Sequence, residues 1–124
     1  MECEGTFEEV CSRLIAVVPK HKFGIIGSID FKAKLQEKGI DFGKKCIVYE
    51  VCNPQIANKM LMMDLSISTM LPCRISVYEE EGKIKLATTL PASIVQMFPK
   101  LENVPDVKVV EDALKTILDE SSKP

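Results

Sequence analysis

The corner formed by Cys52, Asn53 and Pro54 is where this sequence most directly suggests chemistry. Asn53 is a favoured helix N-cap and Pro54 suits a first helical position, so we expect a helix to begin here. Free backbone amides at a helix N-terminus attract anions and lower the pKa of a nearby thiol. Cys52 could therefore be a redox-reactive thiolate or part of a small-anion site. We favour a simpler interpretation, in which a buried cysteine at a strand end precedes an ordinary helix cap.

A second thiol, Cys73, raises the question of a dithiol switch. We expect Cys52 and Cys73 to lie near opposite ends of neighbouring strands, because the helix between them would span ~16 Å. A disulfide needs alpha carbons within ~7 Å of each other. The spacing therefore argues against a disulfide, although a pairing of non-adjacent strands would change this geometry.

Arg74 and Glu50 are the charged candidates on the predicted strands. An arginine on a sheet can clamp a carboxylate or a phosphate with its planar guanidinium group. Arg74 can instead pair with Glu50 or Glu79 across the sheet, or across a dimer. We favour such a structural pairing.

Few other residues suggest a metal or catalytic site. His21, the single histidine, lies in a short basic stretch and could bind haem or a metal, but no second ligand is evident. The five cysteines show no CxxC spacing, which disfavours zinc, and their odd number disfavours a disulfide framework. We find no nucleophile elbow, Gly-rich phosphate loop or carboxylate pair, so the sequence favours a non-enzymatic protein and identifies no cofactor.

Methionines are unusually frequent on the helix that would follow Pro54. Met60, Met62 and Met63 recur there, and Met70 lies just beyond. Methionines at helical spacing usually fill gaps in a core. The alternative is an adaptable surface for a ligand or a second subunit.

The elements that must position these residues are predicted from hydrophobic periodicity, caps and turns. Thr6 and Glu9 have the spacing of a capping box, which predicts a helix that ends near Pro19. The remaining predicted elements are strands over 23–31 and 46–52, a short helix over 32–38, a helix from Pro54, hairpin strands over 71–79 and 83–89, a helical turn from Pro91, and a last helix over 107–118.

The hairpin register separates two faces of the sheet. If Glu80 lies opposite Lys83, then Ile75, Val77 and Leu86 share one apolar face. We therefore predict an α+β fold with a single antiparallel-rich sheet of about four strands and helices packed mainly on one face. The other face carries polar residues and would be wet or form a dimer interface.

Taken in order, these motifs resemble the DUF302 family, small bacterial and archaeal domains of unknown function. The matching residues are Gly24-Ile25-Ile26, Ile29-Asp30, Leu35, Lys38-Gly39, Glu50, Cys52-Asn53-Pro54, Ala57, Leu71 to Ile75, Val77-Tyr78-Glu79, Gly82 and Pro91. The resemblance implies a TATA-binding-protein-like α+β domain that forms homodimers, and it implies no activity. The chain departs from the family in two ways: only residues 1–5 are available for an edge strand before the first helix, and Phe31 stands where many members have a histidine.

Composition limits what else the protein could be. The chain has 124 residues and a net charge of −2, so we expect one domain over 1–124, with frayed ends at 1–5 and 119–124. No concentrated positive charge suggests nucleic-acid binding. No apolar run reaches the ~20 residues of a membrane span, and the acidic N-terminus does not resemble a signal peptide. We therefore expect a cytoplasmic protein.

These observations lead to one functional prediction with two alternatives. We predict a non-enzymatic, homodimeric module that binds a small ligand or a protein in an apolar, methionine-lined cleft. The candidate ligand-binding residues are Glu50, Cys52, Asn53, Met60, Cys73 and Arg74. The alternatives are a thiol-based redox or sulfur-handling protein that uses Cys52 or Cys73, and, less favoured, haem or metal binding through His21 with a Met or Cys.

Overall fold

Strands and helices follow one another along the chain in nearly the predicted order. The computed structural model describes residues 1–124. Its strands are β1 (Glu2–Cys3), β2 (Gly24–Asp30), β3 (Cys46–Cys52), β4 (Cys73–Glu80) and β5 (Lys83–Thr88). They form one sheet in the order β1-β5-β4-β3-β2, and every neighbouring pair is antiparallel.

Local capping signals set the helix boundaries. The five α-helices are α1 (Phe7–Val17), α2 (Phe31–Glu37), α3 (Pro54–Met63), α4 (Ala92–Val95) and α5 (Pro105–Ser121). The predicted capping box is present at α1, where the Glu9 amide donates to Thr6 Oγ1 and the Thr6 amide donates to Glu9 Oε1. Shorter 3-10 helices cover Val18–His21, Leu65–Met70 and Pro99–Leu101. None of the helices combines the length and apolar character that crossing a membrane requires.

The predicted hairpin register is confirmed, and it determines which face of the sheet is covered. Glu80 pairs with Lys83, and Val77 pairs with Leu86. Ile75, Val77 and Leu86 are buried on the face that packs against the helices. Their side chains join those of α1 and α5 in the main core, so both long helices lie on this face.

The second face of the sheet, here called the open face, carries the alternate residues of each strand. None of its residues is buried. Three ion pairs cross it: Lys83 with Glu2, Lys85 with Glu80, and Arg74 with Glu50. The helices therefore pack mainly on one face, as the sequence predicts.

The predicted α+β fold with one antiparallel sheet is confirmed, and the sheet has five strands where about four were predicted. Glu2 and Cys3 form a two-residue edge strand opposite Lys85 and Ile84 of β5. The Leu86 amide also donates to the Met1 carbonyl at 2.9 Å. Even this short segment satisfies backbone groups that the edge of β5 would otherwise leave unpaired.

Residues near the two ends of the chain contact each other. Helix α5 runs to Ser121, which is fully buried. The Glu4 amide donates to the Ser122 carbonyl at 2.8 Å. Arg13 on α1 donates to the carbonyls of both Ser121 and Glu4, and so links the two ends.

Candidate functional site

An apolar cavity lies beside the end of β3. It has a volume of about 60 Å³, and fifteen of its seventeen lining residues are hydrophobic. The walls are the start of α5, helix α3, the 3-10 helix at 65–70, and residues 90–104, here called the covering segment. Four of the six predicted site residues line it: Cys52, Asn53, Met60 and Cys73.

The start of α3 places three of these residues. Asn53 Oδ1 accepts a hydrogen bond from the Ile56 amide at 3.2 Å, and Pro54 occupies the first turn. Both features match the prediction from Cys52-Asn53-Pro54. About two turns after Asn53, Met60 is 6% exposed and packs with Ile67 and Leu101 in a second, smaller core. The cap thus fixes the direction in which α3 carries Met60 into the cavity wall.

The prediction of methionines as core filler is only partly correct. Met60 and Met70 line the cavity, whereas Met62 is 80% exposed on the outer side of α3. Positions 60 and 62 differ by about 200° around a helix, so one of them must point away from the core.

Cys52 and Cys73 lie at the same end of neighbouring strands, and our expectation of opposite ends is wrong. Strands β3 and β4 are antiparallel neighbours, and Cys73 pairs with Val51, the residue before Cys52. The helix between them leaves the sheet and returns, so its length does not separate the two cysteines. Their alpha carbons are roughly 6 Å apart by ladder geometry. Cys73 faces the same side of the sheet as its partner Val51, whereas Cys52, the next residue of β3, alternates to the opposite side, and both thiols are free.

Burial governs the acidity of these thiols. Desolvation raises the pKa of Cys52 above its ordinary value of 9.0. Desolvation also raises the pKa of Cys73, and the neighbouring Cys52 raises it further. The protonated thiol is therefore the stable form at neutral pH, which removes the lowered thiol pKa considered for the Cys52-Asn53-Pro54 corner. This result weighs against a nucleophilic thiolate and hence against the thiol-redox alternative.

The other two predicted residues, Glu50 and Arg74, do not reach the cavity. They pair opposite each other on the open face, with 4.0 Å between Arg74 Nε and Glu50 Oε2. Gly27 on β2 makes room for the carboxylate, because a side-chain carbon there would lie 2.8 Å from Glu50 Oε1. The Arg74 side chain is 55% exposed, so this is a surface pair across the sheet rather than part of the cavity.

His21 is also remote from the cavity. Its Nε2 lies 3.2 Å from Glu120 Oε2 on α5. Across the chain, no three His, Cys, Asp or Glu side chains gather in a way that could hold a metal ion. The haem or metal hypothesis based on His21 therefore gains no support from its surroundings.

Sequence reasoning missed the residues that close the cavity. Ile94, Val95 and Leu101 of the covering segment form one wall, and Phe23 and Val107 complete it. The available signal is the apolar run between Pro91 and Pro99, which predicts a helical turn but not the element it packs against. Periodicity indicates that such residues are buried but cannot indicate what they pack against.

Comparisons with known proteins agree with this architecture. The family described as "Domain of unknown function DUF302" matches residues 1–121. The chain is similar to the crystal structure of an uncharacterized conserved DUF302 protein from Bacillus stearothermophilus, with 31% sequence identity and a TM-score of 0.84. That match covers 98% of this chain and 94% of the other. No curated protein matches the chain.

Proposed function

Because the chain belongs to the DUF302 family, described as a domain of unknown function, we propose a function from the chain's own geometry: it binds a small apolar ligand in the cavity beside α3. The observation that carries the proposal is a cavity with an almost entirely hydrophobic lining in a chain of only 124 residues. Pockets that bind small molecules are mostly apolar with a few polar groups that orient the ligand. Here Asn53 and Cys73 supply those groups.

The volume sets the size of the ligand that fits without rearrangement. An engineered apolar cavity of about 150 Å³ stays dry and takes benzene or xenon. A cavity of about 60 Å³ holds a smaller group, such as a short alkyl chain or a xenon atom. A larger ligand requires part of the wall to move.

The covering segment is the wall best suited to move. Its backbone hydrogen bonds run three or four residues along the segment itself, for example from Ile94 to Pro91 and from Leu101 to Phe98. One side-chain bond, from Lys100 Nζ to the Met63 carbonyl at 3.5 Å, ties it to α3. Displacing it therefore breaks apolar contacts but no strand or helix pairing, which lowers the cost of local opening.

Binding can be tested by titrating the protein with N-phenyl-1-naphthylamine, whose fluorescence rises in apolar surroundings and whose size requires the covering segment to move. The chain has no tryptophan, so protein emission does not interfere. We expect saturable binding that weakens at least ~10-fold in Ala57→Leu, because Ala57 lines the cavity and the added atoms fill it.

Ala33→Leu, the same change at an exposed position of α2, is the matched control and should bind like wild type. Xenon-pressurised crystals give an independent test, with density expected between Met60 and Cys73. The proposal would be ruled out if the cavity stayed empty under xenon and Ala57→Leu and Ala33→Leu bound the probe equally well.

We also propose that two copies associate through the open face. The face carries apolar Ile29 and Val48, and its ion pairs contribute three acidic and three basic side chains. A face whose charges balance can meet its own copy across a two-fold axis without net repulsion. The homodimers implied by the family resemblance support the same assembly.

Light scattering after size exclusion tests the dimer. We expect about twice the chain mass of 13.8 kDa for wild type and the single chain mass for Val48→Lys, which places a charge in the middle of the face. Ile15→Lys, on exposed α1, should remain dimeric. A monomeric wild type, or an Ile15→Lys variant that dissociates equally, contradicts this interface.

We propose a cytoplasmic location on the strength of the cysteines. All five thiols are unpaired, including two at the ends of neighbouring strands. Cysteines remain reduced in the cytosol and tend to be oxidised outside it. Fractionation of the native host, with detection by antibody, tests this location, and recovery from a secreted or periplasmic fraction would contradict it.

A further inference from the structure

A second cavity lies at the opposite end of β3 from the apolar cavity, and the two share no lining residue. Its volume is about 430 Å³. Its walls come from the start of α1, the end of β2, the first turn of α2 and the first half of β3. Sites for small molecules have volumes of roughly 300–1,000 Å³, so the second cavity can hold such a ligand without movement of its walls.

The inner part of the second cavity is aromatic and apolar. Phe7 and Cys11 of α1 are buried there, and so is Tyr49 of β3. Ile47 and Tyr49 lie on the face of the sheet that the helices cover, because alternate residues of a strand share a side. Aromatic rings pair favourably with one another, so this part of the cavity suits a ligand with a flat ring.

The hydroxyl of Tyr49 can donate a hydrogen bond to such a ligand. Tyr49 is only 7% exposed, and the polar group beside its hydroxyl is the Cys11 thiol, which hydrogen bonds weakly. Burial raises the pKa of Tyr49 above its ordinary value of 10.0, and Cys11 and Asp30 raise it further. The hydroxyl is therefore protonated at neutral pH. Because buried tyrosine hydroxyls usually have a hydrogen-bond partner, this one favours a ligand that brings an acceptor oxygen.

Four charged residues line the second cavity where it opens to solvent, and two of them already pair with each other. Lys45 Nζ lies 3.0 Å from Glu8 Oε1. Asp30 and Lys32 take part in none of the ion pairs of the chain. Asp30 Oδ1 accepts from the Ala33 amide at 3.1 Å, which leaves Oδ2 for a ligand. The mouth thus offers one unpaired carboxylate and one unpaired ammonium group.

We propose that the second cavity binds a free aromatic α-amino acid whose ring carries a hydroxyl group, as in L-tyrosine. The ammonium group of the ligand pairs with Asp30 and its carboxylate pairs with Lys32. Its ring packs against Phe7 and Ile47, and the oxygen of its ring hydroxyl accepts from Tyr49. This site goes beyond the apolar-ligand proposal and does not rest on it, because the two cavities have no residue in common.

The proposal is tested by NMR titration of the isotope-labelled wild-type protein with L-tyrosine. We expect saturable shift changes at the amides that line the second cavity. Three analogues each lack one recognised group: tyramine lacks the carboxylate, desaminotyrosine lacks the ammonium group, and L-phenylalanine lacks the ring hydroxyl. Each analogue should bind roughly 3- to 10-fold more weakly than L-tyrosine, because it loses one ion pair or one hydrogen bond.

Three variants assign each ligand group to a residue. Lys32→Gln should weaken binding of L-tyrosine roughly 3- to 5-fold but leave tyramine unchanged, since tyramine has no carboxylate to lose. Asp30→Asn keeps a favourable helix cap and should weaken L-tyrosine by a similar factor but leave desaminotyrosine unchanged. Tyr49→Phe should weaken L-tyrosine about 10-fold but leave L-phenylalanine unchanged.

The matched controls carry the same changes at residues that do not line the second cavity: Lys34→Gln, Asp41→Asn and Tyr78→Phe. All three should bind L-tyrosine like wild type. Lys32→Gln should also leave N-phenyl-1-naphthylamine binding unchanged, so failure of this proposal is distinguishable from failure of the apolar-ligand proposal.

Three outcomes overturn the inference. They are no saturable shift changes with L-tyrosine, equally tight binding of L-tyrosine and all three analogues, and equal loss of L-tyrosine binding in Tyr49→Phe and Tyr78→Phe. The comparison of analogues uses the wild-type protein alone, so it decides the question even if a variant does not fold.

Discussion

Cys52 and Cys73 illustrate how position rather than residue type sets reactivity. A helix N-terminus alone would lower the pKa of a thiol, yet desolvation by burial raises the pKa of both. Cys52 and Cys73 hold their thiol protons more tightly in the folded protein than in the unfolded chain. They therefore contribute stability at pH values below the ordinary thiol pKa of 9.0. That contribution is lost as pH rises past this value toward the folded-state pKa values.

We therefore predict slow alkylation of Cys52 and Cys73 by iodoacetamide at pH 7–8. Both burial and the protonated state protect them. The alkylation rate should rise with pH in both the folded protein and the chain unfolded in urea. In the folded protein this rise should occur at higher pH. Mass spectrometry of digested samples assigns the rate to each cysteine. Rapid labelling of either residue at pH 7 in the folded protein would restore the thiol-redox alternative.

Glu50 lies close to the backbone of Gly27, which is possible because glycine has no side chain. Gly27→Ala would place a carbon 2.8 Å from Glu50 Oε1, and the carboxylate can only swing away. The Arg74 ion pair is long and exposed, so its loss costs little, about 0–1 kcal/mol. This pair therefore serves local order on the open face more than stability.

Helix α3 is the element on which the cavity depends most. Its N-cap is made by one side chain, since Asn53 Oδ1 accepts from the Ile56 amide at 3.2 Å. The helix is ten residues long, too short to be stable by itself, so its cap and its apolar packing must hold it. Loss of the Asn53 cap should therefore disturb the position of Met60 in the cavity wall.

We predict that Asn53→Ala lowers the free energy of unfolding by about 1 kcal/mol, as cap removal commonly does. Urea unfolding followed by circular dichroism measures it. Asn58→Ala, the same change at an exposed interior position of α3, should be neutral or slightly stabilising because alanine favours helix. Equal destabilisation by both substitutions would show that the cap is not the source of the effect.

One arginine side chain links the two ends of the chain. Arg13 donates to the Ser121 carbonyl at 3.0 Å and to the Glu4 carbonyl, so it joins α1, the residue after β1 and the end of α5. The fifth strand and the last helical turn thus depend on contacts that neither segment could form alone. Hydrogen bonds from charged donors are worth roughly 1.5–3 kcal/mol each.

We predict that Arg13→Met lowers the free energy of unfolding by roughly 1.5–3 kcal/mol. It should also accelerate hydrogen exchange at the amides of Glu4 and Leu86, which bond across the ends. The chain's other arginine supplies the control: Arg74→Met removes only the 4.0 Å surface pair and should leave exchange at both amides unchanged. Unchanged exchange in Arg13→Met would mean that the ends are held by other contacts.

Much of the scaffold could be predicted because its signals are local. The α1 capping box, the bounds of β3, the Asn53 cap and the β4–β5 register depend on residues close in sequence, and each is confirmed. Alternation along β4 also identified the buried face correctly, because a strand's side chains change sides at every residue.

Apart from Met62, which the helical period of α3 turns outward, the features that the sequence did not predict involve partners distant in the chain. The pairing of β1 with β5, the bracing of the two ends through Arg13, and the position of Cys73 beside Cys52 join segments separated by twenty residues or more. The covering segment likewise became a cavity wall only through packing on α3. Periodicity and capping residues determine which face of each element is apolar and where the element ends. Which elements pack against each other is decided only when the whole chain folds, because all the apolar faces must then be buried at once.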